Sequence, residues 1–305
     1  MTQLFQFLPN APVDEAELLI LPVPWESTVC YKPGTAQAPE AIIKAADQLE
    51  YYEEDAAWAP MKYMKVCVLE ALKPKSSDNE AAFHANLEKV VAELPFDNLL
   101  IALGGEHSIT PALIQGRMPE PGCVIHLDAH ADLRKSFDGS EYSHACPAYR
   151  ILTQGYSMVM AGIRSLFEIE AERIAKDNKI TVFMDRALRQ QNNWANFIQY
   201  LTDLKGKVWL TIDMDVFNPA LVPGVGTPQP GGFDWYQMVE VLDAVFFNPN
   251  IDLRGMDIVE LVPEPSHVSE MVAAKLMQKA MSFWGKSRGF EQRAMNGSQT
   301  QVDYD

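Results

Sequence analysis

Six side chains able to hold a cation fall in three short stretches. In IHLDAHAD, residues 125–132, Asp128, His130 and Asp132 alternate with Ala129 and Ala131. In TIDMDVF, residues 211–217, Asp213 and Asp215 repeat the device, and His107 follows Gly104-Gly105 in GGEHSIT. Alternate residues of an extended chain project to the same side, so each cluster aims its groups at one point. The set offers nitrogen and oxygen donors and no sulfur, which suits Mn²⁺ or another first-row divalent ion. Four carboxylates and two histidines exceed the needs of one ion. The pattern predicts a bridged two-metal site, with ions roughly 3.5–4 Å apart.

A lone Asp-x-Asp at a strand end is commonly a turn or capping device. Two clusters, each after a continuous apolar run, are not explained that way, because burying so many carboxylates without cations is very costly. His126 lies on the same alternation but inside the apolar run, and reads as a hydrogen-bonded histidine behind the ligands. Cys146 stands near His144, but no third orienting group accompanies them, so an inert buried thiol is expected. Gly104-Gly105 lacks the spacing of a phosphate loop and is expected to permit a tight turn that aims His107.

The elements that must position these groups follow from the apolar pattern. Short runs rich in Val, Ile and Leu predict buried strands over 17–22, 65–70, 98–103, 122–127, 157–161, 180–184, 207–212 and 253–259. Helical spacing lies between several of them, at 39–49, 79–94, 166–177, 194–204 and 235–246, with a further helix at 267–283. Alternation of this kind predicts an α/β domain with a mostly parallel sheet covered on both faces. His107, the 128–132 cluster, the 213–215 pair and Glu260 each follow a different run. They are expected at the C-terminal edge of the sheet, where open α/β sheets build their sites.

The chain has 305 residues, with 25 Lys+Arg against 41 Asp+Glu and a formal net charge of −16. That acidity argues against a nucleic-acid binder, which needs clustered basic groups. No basic residue precedes Lys32 and no apolar run is long enough to span a bilayer, so neither a secretory leader nor a membrane segment is expected. Cys30, Cys67, Cys123 and Cys146 are widely spaced, which fits a reducing cytoplasm. Residues 1–285 read as a single domain, and 286–305 as a polar, loosely ordered tail.

The blocks GGEHSIT, HLDAHADLR, YSHACPAYR, TIDMDVFNPALVPGVGTPQPGG and DIVELVPEPS, in this order, resemble those of the ureohydrolase (arginase/agmatinase) superfamily. The segment LPVPWEST…KPGTAQAPEAI is similar to the agmatinase branch. The resemblance implies a three-layer α/β/α fold around a central, mostly parallel eight-stranded sheet. It implies two Mn²⁺ ions, with Ni²⁺ or Co²⁺ as alternatives. His107, Asp128, Asp132 and Asp213 would hold one ion, and His130, Asp128, Asp213 and Asp215 the other. A metal-bridging hydroxide would attack the guanidinium carbon. Asp132 would orient or deprotonate the nucleophile, His144 would relay a proton to the departing amine, and Glu260 would pair with the guanidinium N–H groups. The family also implies a homo-oligomer, a trimer or hexamer.

The substrate is expected to be a small cationic guanidino compound. Arginases carry an Asn two positions after the last Asp of D-x-H-x-D, and here Arg134 stands there, which speaks against arginine. Formimidoylglutamases can show the same D-L-R but tend to lack the loop histidine. Agmatine, giving putrescine and urea, is therefore favoured, with aminopropylagmatine, guanidinobutyrate, guanidine, formimidoylglutamate and arginine as further candidates. Asn218, Leu261-Val262 and Ser266 depart from the common family pattern at positions that are not ligands. A two-metal phosphoesterase is the main rival, since Arg134, Lys135, Arg150 and Arg164 lie on nearby loops. A non-catalytic metal-binding relative would be expected to lack a matched position, and none is lacking.

Overall fold

The structure is a computed structural model that describes residues 10–75 and 77–295. Eight strands form one sheet: β1 (Leu18–Val23), β2 (Val66–Val68), β3 (Leu99–Gly104), β4 (Cys123–Leu127), β5 (Ser157–Ile163), β6 (Ile180–Met184), β7 (Gly206–Asp213) and β8 (Ile251–Val259). Their order is β2-β1-β3-β8-β7-β4-β5-β6, and every pairing is parallel. The eight strands lie where the apolar runs put them, and the sheet is wholly parallel rather than mostly so. Parallel strands joined by helical crossovers bury both faces. Alternate residues accordingly enter two separate cores: Leu18 and Ile20 on one face, Leu19 and Leu21 on the other.

Helices cover both faces. Ala38–Ala46, Glu80–Ala92, Glu168–Lys176, Asn193–Asp203, Trp235–Phe246 and Val268–Ser287 match the six predicted helices to within a few residues. Local capping explains two of the starts. The Asn79 side chain accepts from Ala82 N–H, and Asp234 and Gln237 form a reciprocal capping box. Thr110–Arg117 and Pro147–Thr153 are helices that the periodicity did not indicate. Thr110–Arg117 is buried almost all round, so it shows no polar stripe for a 3.6-residue period to reveal.

The C-terminal segment departs from the expected loose tail over its described part. The last long helix runs to Ser287, Phe290 packs against the core, and Arg293 pairs with Glu17 at 2.6 Å. The rest of that expectation, residues 296–305, lies outside the described residues. Among the described residues no helix is long and apolar enough to cross a membrane.

Strand order places the chemistry. β3, β8, β7 and β4 are four consecutive neighbours at the centre of the sheet. Their C-terminal ends release His107, Glu260, Asp213 with Asp215, and the Asp128–Asp132 segment respectively. At the usual interstrand spacing those four ends span only about 14 Å.

Candidate metal centre

His107 sits in a short 3-10 turn, His107–Ile109, between β3 and the buried helix Thr110–Arg117. The glycines before it do not act through a left-handed turn, since neither Gly104 nor Gly105 has positive φ. They permit close approach instead. A Cβ on Gly105 would lie 1.9 Å from the Trp25 carbonyl oxygen. Gly105 N–H donates to Val23 O and Glu106 N–H to Trp25 O, which ties the end of β3 to the loop after β1.

The aspartate clusters converge, but not by extended alternation. After β4 the chain turns, with His130 N–H donating to Asp128 Oδ1 at 2.6 Å. After β7 it enters a 3-10 turn, with Asp215 N–H donating to Asp213 Oδ1 at 2.8 Å. Asp132 lies in the left-handed region at φ 51°. The expected residues therefore meet, through two matching aspartate turns rather than through period-2 pleating. A bulge in β5 at Gly162, φ 94°, accommodates the first turn, because a Cβ there would lie 2.9 Å from Asp128 O.

Two histidines face the carboxylates. His107 Nδ1 lies 3.2 Å from Asp128 Oδ2, 3.3 Å from Asp132 Oδ2 and 3.5 Å from Asp213 Oδ2. His130 Nδ1 lies 2.9 Å from Asp215 Oδ2 and 3.6 Å from Asp128 Oδ1. Asp128 thus turns one oxygen toward each histidine. His107 Nδ1 and Asp128 Oδ2 are buried and neither has a hydrogen-bond partner. Buried polar atoms are ordinarily paired, so this facing couple fits a cation. Two groups compatible with an ion share Asp128: His107, His126 and Asp128, and Asp128, His130 and Asp215. His126, buried on β4, donates from Nε2 to His130 O at 3.3 Å and lies 3.1 Å from Asp128 Oδ2. Expected behind the ligands, it is itself within reach of an ion held by His107 and Asp128.

The electrostatics fit the same reading. Burial raises the Asp213 carboxyl well above the ordinary carboxylate range, and the charges of Asp215 and Asp128 add to it. Burial and Asp128 likewise raise Asp215. Burial also works against a charged Asp128, but His126, His107 and His130 hold it well below the ordinary range. Burial opposes a charged His130, yet Asp215 and Asp128 push it up to about 12. Carboxylates this crowded draw protons onto their neighbours, and divalent cations satisfy the same field.

A hydroxyl chain that the sequence reading missed sets the tautomer of His107. Thr211 Oγ1, on β7, donates its single proton to Asp257 Oδ1 at 2.5 Å, so it must accept from His107 Nε2–H at 2.9 Å. Trp209 Nε1–H and the Thr110 hydroxyl complete the shell of Asp257. With Nε2 committed, Nδ1 is the nitrogen left for a cation. The available signal was an aspartate inside the apolar run of β8, at 257, and a threonine two residues before Asp213.

Glu260 follows β8 in the left-handed region, φ 64°. Its N–H donates to Gly105 O and its Oε1 accepts from His107 N–H at 2.6 Å. Non-glycine residues pay about 1 kcal/mol for that backbone, and two of the six that adopt it among the described residues, Asp132 and Glu260, lie at this site. Burial pushes the Glu260 carboxyl up to about 8; the His107 N–H opposes this and the charges of Glu106 and Asp132 add to it.

A cavity of about 240 Å³ opens over the cluster. His130, Asp132, Asp213, Asp215, His144 and Glu260 all line it. Arg134 also lines it, with its guanidinium 4.6 Å from the Phe137 ring centre and 4.9 Å from that of Phe167. Cys30 also lines the cavity, with Sγ 3.4 Å from His144 Nε2, and was not anticipated. Cys146 is buried, as expected, and burial pushes its thiol up to about 12.

The basic loop residues do not make a phosphate site. Arg164 spends its guanidinium on the carbonyls of Gly162, Asp215, Val216, Phe217 and Gln229. Arg150 stacks on Tyr142 at 4.2 Å. Only Arg134 of the four lines the cavity.

Comparison with known proteins agrees with this geometry. A model of the arginase family matches residues 16–282. The chain is 36% identical to an N(1)-aminopropylagmatine ureohydrolase of Synechocystis sp., over 93% of this chain and 95% of that one. It is 30% identical to an agmatinase of Pyrococcus horikoshii, over 88% of this chain and 93% of that one. The solved agmatine ureohydrolase of Thermoplasma volcanium superposes with a TM-score of 0.80 at 28% identity, covering 91% of this chain and 93% of that one. On the matched span, the wholly parallel sheet and the histidine–aspartate cluster at its centre, the chain belongs to the arginase family of ureohydrolases.

Proposed function

We propose that the protein releases urea from a guanidinoalkylamine, agmatine or its N(1)-aminopropyl derivative, with two Mn²⁺ ions in the cluster. The observation that carries this is the split of Asp128 between two histidines, at the junction of four neighbouring strand ends. His107, Asp128, Asp132 and Asp213 would hold one ion, and His130, Asp128, Asp213 and Asp215 the other. The donors are all nitrogen and oxygen, so Ni²⁺ and Co²⁺ are alternatives to be compared directly. Two divalent cations lower the pKa of water and so supply hydroxide at neutral pH.

The chain's own residues do the rest. Glu260 faces the cavity with one oxygen held by His107 N–H, and an arriving guanidinium gives it the cation that favours its charged form. Its fork matches two parallel N–H groups and holds the guanidinium carbon over the cluster. Asp132 orients the attacking oxygen or takes its proton. His144, which also lines the cavity, takes up a proton and passes it to the departing amine as the C–N bond breaks. Arg134 stands where arginases use an Asn, and its guanidinium is stacked between two rings, so the amide that would grip an α-amino acid is missing. The relatives named above favour a polyamine precursor, and the first of them favours the longer one.

Urea release from agmatine, aminopropylagmatine, arginine, guanidinobutyrate, guanidine and formimidoylglutamate, with Mn²⁺ or Ni²⁺, tests this reading. One of the first two should exceed arginine and formimidoylglutamate in kcat/KM by about 100-fold or more. A preference for either of those, or no urea from any guanidino compound, overturns it.

A further inference from the structure

His144 is held by a second carboxylate–threonine–histidine chain, built from residues that the proposed mechanism does not use. Thr28, on the loop after β1, touches three groups with one hydroxyl. Its oxygen lies 3.1 Å from Glu106 Oε2, 3.0 Å from the backbone nitrogen of His144 and 3.1 Å from His144 Nδ1. A carboxylate oxygen can only accept, so the hydroxyl proton goes to Glu106. One lone pair takes the His144 backbone N–H. The other must take a proton from the imidazole nitrogen that faces it. Whichever ring nitrogen points at Thr28 is therefore a donor, and the opposite one presents its lone pair to the cavity, beside Cys30 Sγ.

Glu106 is fitted to this task. It is buried, and its side chain accepts from four donors: Ser27 N–H, Thr28 N–H, the Thr28 hydroxyl and the Ser108 hydroxyl. Its own N–H donates to Trp25 O, and Trp25 stacks on Phe83 with ring centres 4.0 Å apart. The loop that carries Thr28 is thus anchored to the end of β3, next to His107. The Phe137 ring meets the His144 ring edge-on and limits its swing.

We infer that Thr28, oriented by Glu106, is a positioning residue that fixes the His144 tautomer, so that the cavity-facing nitrogen is the one that takes up and returns the proton. The inference rests on the role proposed for His144. A neutral imidazole accepts at one nitrogen only, and the wrong tautomer would present an N–H where a proton must first be received. Thr28 supplies that choice without touching the substrate.

The test uses the full-length, Mn²⁺-loaded enzyme and the better of agmatine and aminopropylagmatine. Thr28→Val, Thr28→Ser, His144→Ala and the Thr28→Val/His144→Ala double variant are compared. Metal content and urea-denaturation midpoint serve as folding controls, and Thr28→Ala replaces Thr28→Val if that variant does not fold. Thr28→Val should lower kcat about 10-fold or more, with KM within about 2-fold. Thr28→Ser should restore kcat, and the double variant should fall no lower than His144→Ala. Unchanged kcat in Thr28→Val, failure of serine to rescue, or losses that multiply in the double variant overturn the inference alone. Full activity in His144→Ala overturns the role of that histidine, and the inference with it.

Discussion

His107 has a nitrogen to offer a cation because Thr211 takes the other one. The hydroxyl is buried, passes its proton to Asp257 and leaves the imidazole one donor role. Replacing Thr211 by Val removes that acceptor and strands a buried N–H, while the carboxylates on the other side are untouched. Loss of such an outer partner lowers metal affinity by about 10–100-fold. Calorimetric titration of the metal-free protein with Mn²⁺ should show that loss in Thr211→Val and little of it in Thr211→Ser; equal affinity in wild type and Thr211→Val would contradict the assigned tautomer. At this scale the acids and histidines were legible, because charged residues placed just beyond apolar runs have few structural uses. The threonines were not. A hydroxyl carries no charge or strong pattern, and its part depends on a partner far along the chain: Thr28 meets His144 across 116 positions, and Thr211 meets His107 across 104.

Turns and close approaches, rather than strand pleating, bring the ligands to one place. The two aspartate turns use the same bond, a backbone N–H two residues on returning to the aspartate Oδ1. Period-2 reasoning named residues that do converge, but for a reason that holds only up to Leu127 and Asp213, where β4 and β7 end. Gly105 shows the same shift of cause. Its lack of a side chain lets β3 lie against the loop after β1, and Gly105→Ala would drive a methyl into the Trp25 carbonyl. Backbone cannot yield as a side-chain tip does. Overpacking of this kind costs about 1–3 kcal/mol or more, and the loop of Thr28 and the turn of His107 would move with it. Denaturant unfolding of Gly105→Ala should show that loss together with weaker Mn²⁺ binding; an unperturbed midpoint would mean that the approach is looser than described.

Across the whole molecule, the decisive fact is which strands are neighbours. Eight apolar runs separated by helical spacing specify a parallel sheet and its covered faces, and these were readable from composition and period. The order β3-β8-β7-β4 was not, because it depends on pairings between segments as far apart as Ile101 and Met256. That order makes four strand ends share one cleft. The net charge of −16 follows from the same view. Asp128, Asp132, Asp213 and Asp215 belong to the cluster, and two divalent ions would offset their four charges. The remaining excess of acid lies elsewhere, and suits a cationic substrate without specifying one.

On the proposed reading, one chain holds two divalent ions, with Asp128 shared between them. Elemental analysis of the Mn²⁺-loaded protein after removal of free metal measures it directly, alongside urea release. Wild type should retain two ions per chain, and Asp128→Asn should lose at least one together with most of its turnover. A single ion in the active wild type, or an Asp128→Asn variant that keeps two ions and full activity, would contradict the account.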